Sequence, residues 1–164
     1  MAITQDEFRA ALSRFASGVT IVTTKDSAGG LFGITVSAFC SVSLDPPLVL
    51  ICIEKATGSH PAFHESGLFN VNILAIGQVE LSERFASQLP DKFDRLDFSL
   101  NIDGVPCLSR CLAVLECRVK QTFDGGDHSI FIGSVENATV NEGDPLVYFM
   151  SDYREVGGRA TGGI

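Results

Sequence analysis

The chain has 164 residues and a net charge of −8, with 45% hydrophobic and 20% charged residues. It is apolar enough to bury a core in a single domain and too acidic to neutralise a phosphate backbone, which sets nucleic-acid binding aside. No apolar run reaches membrane-spanning length, and the start lacks the features of a signal peptide. A soluble, cytoplasmic domain over residues 1–156 is expected, with Gly157 to Ile164 as a frayed tail.

Thr4-x-x-Glu7 forms a capping box, and Phe8, Ala11, Leu12 and Phe15 recur on one helical face. With Gly18 as a natural stop, these residues predict an opening helix of about three turns. Val19 to Thr24 is β-branched and predicts a strand, Asp26 to Gly30 a turn, and Leu31 to Val36 the partner strand. Small and hydroxyl residues follow (Thr35, Ser37, Ala38, Cys40, Ser41, Ser43) up to a break at Asp45-Pro46-Pro47. Their backbone is open to close approach, and hydroxyls with N–H groups suit a phosphate or a flat heterocycle. Leu48 to Ile53 is a short apolar run of the kind a buried strand needs.

Ser59-His60-Pro61 predicts a short helix with Ser59 as its cap, ended by Gly67. Leu68 to Leu74 predicts a strand and Gln78 to Gln88 an amphipathic helix. Residues 91–111 show no clear period and are expected to be loop-rich. Ala113 to Lys120 alternates, with Ala113, Leu115, Cys117 and Val119 on one face and Glu116, Arg118 and Lys120 on a wet one. His128 to Glu136 and Leu146 to Met150 complete the strands. The sum is a mainly β chain, an antiparallel barrel with a few short helices. The absence of βα alternation and of a GxGxxG argues against a Rossmann domain.

The five cysteines include no CxxC pair, so buried free thiols are expected. His60 and His64 stand four apart, but no third ligand lies at a suitable spacing and Pro61 shares their turn, so no metal site is expected. His128 follows a Gly-Gly-Asp turn that would present it at the barrel mouth; a lone His at a strand start is more often structural or solvated than a binding residue.

Several segments resemble, in order, the short-chain flavin reductases, the small components of two-component monooxygenases. The run Gly33 to Ile53, GITVSAFCSVSLDPPLVLICI, is similar to that family's flavin-binding signature. Gly67 to Leu74 looks like its next strand, Leu81 to Ala86 its following helix motif, Gly126-Asp127-His128 its GDH strand, and Pro145 to Arg154 its closing segment. The resemblance implies a split β-barrel of Greek-key type, a homodimer, and hydride transfer from NADH to FMN or FAD, with reduced flavin supplied to a partner oxygenase. It assigns Thr35, Val36, Ser37, Ala38, Phe39, Cys40, Ser41 and Val42 to the flavin ring and ribityl chain. Cys52, Ile53, Glu54, Lys55, Ser59 and His60 would lie near the phosphate end, and Arg84, Phe85 and Ala86 beside the flavin. His128, Tyr153 and Arg154 would serve the nicotinamide. Ser151-Asp152 departs from the family, which often has Arg or Gly there.

No acid–base residue is required in such a reaction, because the cofactors carry the chemistry. NADH is favoured over NADPH, since no Arg pair is evident for a 2′-phosphate. The rival from another class is a flavin storage, sensor or electron-transfer protein on the same barrel. A pyridoxamine-phosphate oxidase type would call for a basic cluster, whereas the twelve Lys and Arg are scattered.

Overall fold

The computed structural model describes residues 3–157; the expected tail from residue 158 onward lies outside the described residues. In chain order the elements are α1 (Gln5–Leu12), β1 (Ser17–Gly18), β2 (Thr20–Lys25), β3 (Leu31–Val36), β4 (Phe39–Leu44), β5 (Pro47–Glu54), α2 (His60–Ser66), β6 (Leu68–Ile73), α3 (Val79–Ala86), β7 (Phe98–Leu100), β8 (Pro106–Leu108), β9 (Ala113–Gly125), β10 (His128–Val140), β11 (Val147–Phe149) and β12 (Asp152–Arg154). The fold is mainly β, as expected, and all the strand pairs are antiparallel.

Seven strands form one sheet in the order β3-β2-β6-β9-β10-β5-β4. Its two edge strands, β3 and β4, are consecutive in the chain, with only Ser37 and Ala38 between them. Such a link spans roughly 11 Å at most, so the sheet must curl until its two edges almost meet. The result is a barrel split along one seam.

Val22, Val36, Val49, Ile51, Ile53, Phe69, Val71 and Phe131 fill the interior, closed at one end by Phe63 of α2. Gly133 faces this core: a Cβ there would overlap the Phe69 ring. A second core forms outside the barrel wall, where Ile21, Leu74, Val114 and Leu146 meet Phe85 of α3 and Leu108 of β8. β2 and β6 are therefore buried on both faces, and buried Val114 corrects the expected alternation of β9: its second face is wet only further along.

The second core is held by backbone. Val19 N–H donates to Leu146 C=O, Leu146 N–H to Leu74 C=O and Leu74 N–H to Val19 C=O, at 3.0–3.2 Å. Two buried asparagines of β6 tie down the segment that sequence periodicity leaves unread. Asn70 Nδ2 donates to the carbonyls of Val105 and Pro106. Asn72 Nδ2 donates to Ile21 C=O (2.9 Å) and Thr23 Oγ1 (3.1 Å), and its Oδ1 accepts from Leu108 N–H at 2.8 Å.

The opening helix is shorter than expected. The capping box forms, with Thr4 Oγ1 accepting from Glu7 N–H and the Glu7 carboxylate from Thr4 N–H, but the helix ends at Leu12. Gly18 is no helix stop, because Ser17–Gly18 pairs with Val147–Tyr148 of β11 and draws the chain into a strand. Phe8, Leu12 and Phe15 are left 52%, 56% and 78% exposed. Ser59 stands at the N-cap of α2 without capping it: its backbone is already helical (φ −84°, ψ −17°), not extended as a side-chain cap requires. Gly67 ends α2 in the left-handed conformation. No described helix is long and apolar enough to cross a membrane.

Asn72→Ala would leave Leu108 N–H without its acceptor and open a void at the join of both cores. It should destabilise the fold by about 2–4 kcal/mol. Urea melts of the two proteins check this; equal midpoints would exclude the clamp.

Candidate functional site

The seam places the hydroxyl-rich run in the open. Ser37, Ala38, Cys40, Ser41 and Val42 are exposed, while Val36 is buried and Phe39 packs on the barrel core. β4 is a sheet edge, so part of its N–H and C=O groups have no strand partner. The pairing shifts between Ser41 and Ser43, so Val42 sits in a bulge. This surface is small side chains over accessible backbone, a donor set that fits a flat heterocycle with carbonyl and ring-nitrogen acceptors. Thr35 is turned the other way: its Oγ1 donates to Ser82 C=O of α3 at 2.6 Å.

Strand pairing brings a second group to the same end of the barrel. Cys52 N–H donates to Ala38 C=O at 3.1 Å, and Glu54 lies opposite His128. Lys55 Nζ is held by the Asp124 carboxylate and by Gly126 C=O, and Lys55 N–H donates to Asp127 C=O. The lysine so fastens the β9–β10 turn to the end of β5 and holds the Asp124 carboxyl below its ordinary value. His128 Nδ1 lies 2.7 Å from Asp127 Oδ1, which holds that carboxyl down too and fixes the imidazole's direction. His60 Nε2 lies 2.9 Å from Ser129 Oγ. Burial, then the nearby charges of His64 and Lys55, press the His60 imidazole below its ordinary value, so it stays neutral at neutral pH. Burial raises the Cys52 thiol, which stays protonated. Ile53 and Ser59 are buried.

A third group lies on α3 and the C-terminal hairpin. Phe85 is fully buried and meets Phe93 edge-on at 5.1 Å. Arg84 donates to the carbonyls of Asp91 and Asp94, clasping the following loop. Ala86 is exposed beside a shallow groove that includes Glu83, Tyr148, Asp152 and Tyr153. Tyr153 Oη donates to Ser82 Oγ at 2.9 Å, and Arg154 pairs with Asp152 at 3.2 Å. A larger groove of about 530 Å³ runs along α3 between Gln78 and Arg110, away from the seam residues.

The structure thus brings residues 37–42 together with Cys52 to Lys55 and His128, and joins Thr35 to Tyr153 through Ser82. The sequence reading missed Ser82. The available signal was its spacing: it lies three residues from both Val79 and Phe85, on the buried face of α3.

Residues 12–157 match the family model described as flavin reductase like domain. Similar proteins include an FMN reductase (NADH) of Agrobacterium fabrum, 45% identical over 86% of this chain and 80% of its own length. The reductase subunit of a flavin-dependent monooxygenase of Rhodococcus jostii is 39% identical over 93% and 78%. Among solved structures, a Streptomyces globisporus NADH:FAD oxidoreductase in complex with NAD and FAD fragments has a TM-score of 0.90 and 34% identity, covering 96% of this chain and 95% of that one. With a split barrel whose seam carries the signature run and a family match over nearly the whole chain, this protein belongs to the flavin reductase like domain family.

Proposed function

We propose that the chain is an NAD(P)H:flavin oxidoreductase that reduces FMN or FAD with NADH and supplies reduced flavin to a partner monooxygenase. The observation that carries this is the exposed seam strand, which bears the family's signature on accessible backbone. The names of the similar proteins support NADH as donor and a separate oxygenase as recipient. When bound, the flavin accepts hydride from the nicotinamide ring.

The protein's part is placement. Backbone N–H groups of residues 37–42 hold the flavin ring and meet the negative charge that reduction brings. Cys52 to Lys55 and His60 border its phosphate end. Val36, Ile53, Ser59 and Phe85 shape the site from within the core. His128, directed by Asp127, positions the nicotinamide, with Tyr153 and Arg154 across the seam. Arg84 and Ala86 flank α3's end of the site. A site built largely from backbone holds flavin moderately, which suits its release to another protein.

The chain acts as a homodimer in this reading. On β5, β10 and β9 the residues opposite each other on the outer face include Leu50, Cys52, Ile130, Ile132 and Phe123. Phe123 is 48% exposed and the others are only half-buried, an apolar sheet face of the kind a second copy covers. The five free cysteines fit a reducing, cytoplasmic compartment.

Three outcomes follow. Light scattering at micromolar concentration should give twice the chain mass, and a monomer would refute the dimer. Ser41→Trp should abolish flavin binding in a fluorescence titration while the circular dichroism spectrum stays native, since residue 41 is exposed and the large ring blocks the strand. In an assay of NADH consumption with added flavin, His128→Ala should raise the NADH KM and lower kcat/KM roughly ten- to hundredfold, with flavin affinity nearly unchanged. If wild type consumes no NADH in the presence of flavin, the reductase reading fails.

A further inference from the structure

Ser82 is fully buried in the middle of α3, and two bonds reach it through different atoms. Thr35, next to the flavin segment, donates from Oγ1 to its carbonyl at 2.6 Å. Tyr153, on the C-terminal hairpin, donates from Oη to its hydroxyl at 2.9 Å. The seam strand and the hairpin thus share one anchor residue on a rigid helix.

The hairpin needs such an anchor. β11 and β12 are three residues each and, among the described residues, pair only with each other and with the two-residue β1. Their turn places Met150 and Ser151, neither of them glycine or asparagine, at φ 54° and 60°. Both sit in the left-handed region, which such residues enter only at a cost. Besides its strand pairing the hairpin is tethered at its turn, where Arg14 donates to Met150 Sδ at 3.0 Å, and at its far strand. At the turn, Met150 N–H also donates to Ser13 C=O at 2.9 Å. At the far strand, the Tyr153 hydroxyl reaches Ser82. Without the Tyr153–Ser82 bond, β12 keeps its apolar packing on the second core but loses the hydrogen bond that fixes its position against α3.

We propose that Ser82 is a positioning residue that couples the flavin and nicotinamide halves of the site, fixing the seam strand through its carbonyl and the hairpin through its hydroxyl. The inference rests on the reductase reading and on Tyr153 bordering the nicotinamide. Because the two bonds use separate atoms, they can be cut separately. Ser82→Ala and Tyr153→Phe each remove the hairpin tether but leave the carbonyl that Thr35 uses. Thr35→Val removes the seam bond and leaves the tether.

The test is steady-state kinetics varied separately in NADH and flavin, flavin titration, and a thermal melt for each variant. Tyr153→Phe and Ser82→Ala should each raise the NADH KM by roughly three- to tenfold with flavin affinity unchanged. Their double variant should be no worse than either alone, since both delete one bond. Thr35→Val should weaken flavin by a similar factor. Combined with Tyr153→Phe, it should lower kcat/KM by a factor different from the product of the two single effects, which marks coupling through Ser82. Three results would overturn the proposal: lower melting temperatures with unchanged kinetic constants, equal damage to flavin and NADH from either cut, or multiplicative effects in the Thr35→Val/Tyr153→Phe pair. A wild type that oxidises NADH while the variants behave in one of these ways refutes the anchor and leaves the reductase reading standing; an inactive wild type refutes the reading on which it rests.

Discussion

Two residues, Ser37 and Ala38, constrain the whole molecule. They join strands at opposite edges of a seven-stranded sheet, so the sheet has no option but to curl. Curling makes the barrel interior in which Val22, Ile51, Phe69 and Phe131 are buried. It also leaves one line where backbone groups are not consumed by a neighbouring strand, and that line carries the signature residues. Core and site therefore have one geometric cause, and neither can be altered much without the other.

The structure also explains why no catalytic side chain stands out. Several polar side chains near the seam are already committed: Lys55 to Asp124 and Gly126, the His128 ring to Asp127, Arg84 to two carbonyls. They act as fasteners that keep turns and loops in place around an exposed strand. A reaction whose chemistry resides in its two small-molecule partners asks for little more than that.

Much of this was legible in the sequence because it was periodic or punctuated. The strands of the large sheet announce themselves through β-branched runs and alternation, and the break at Asp45-Pro46-Pro47 marks the turn between β4 and β5. What stayed hidden depends on contacts distant in the chain. The stretch around β8 shows no period of its own because Asn70 and Asn72, 35 and 36 residues earlier, hold Val105, Pro106 and Leu108 in place. Gly18 resembles a helix stop locally, yet its partner Val147 decides its state. Within the site, the exposure of Ser37 and Ser41 follows from residue type, whereas the exposure of Val42 and the burial of Val36, Ile53 and Phe85 follow from which face of an element meets a core. Tertiary packing settles that, not local pattern.

The bulge at Val42 has a consequence for the protein's behaviour in a crowded solution. An unpaired sheet edge is a template on which a foreign strand can add itself, the first step of uncontrolled association. β4 must stay open along its length if a ligand is to reach it, so it cannot be shielded by a permanent cover. The extra residue breaks the regular spacing of donors and acceptors on that edge, and Pro46 follows close behind with no N–H to offer. An incoming strand finds no continuous register, while a compact ligand needs only a few groups in a row. The same irregularity thus keeps the edge available to a small molecule and inhospitable to another polypeptide.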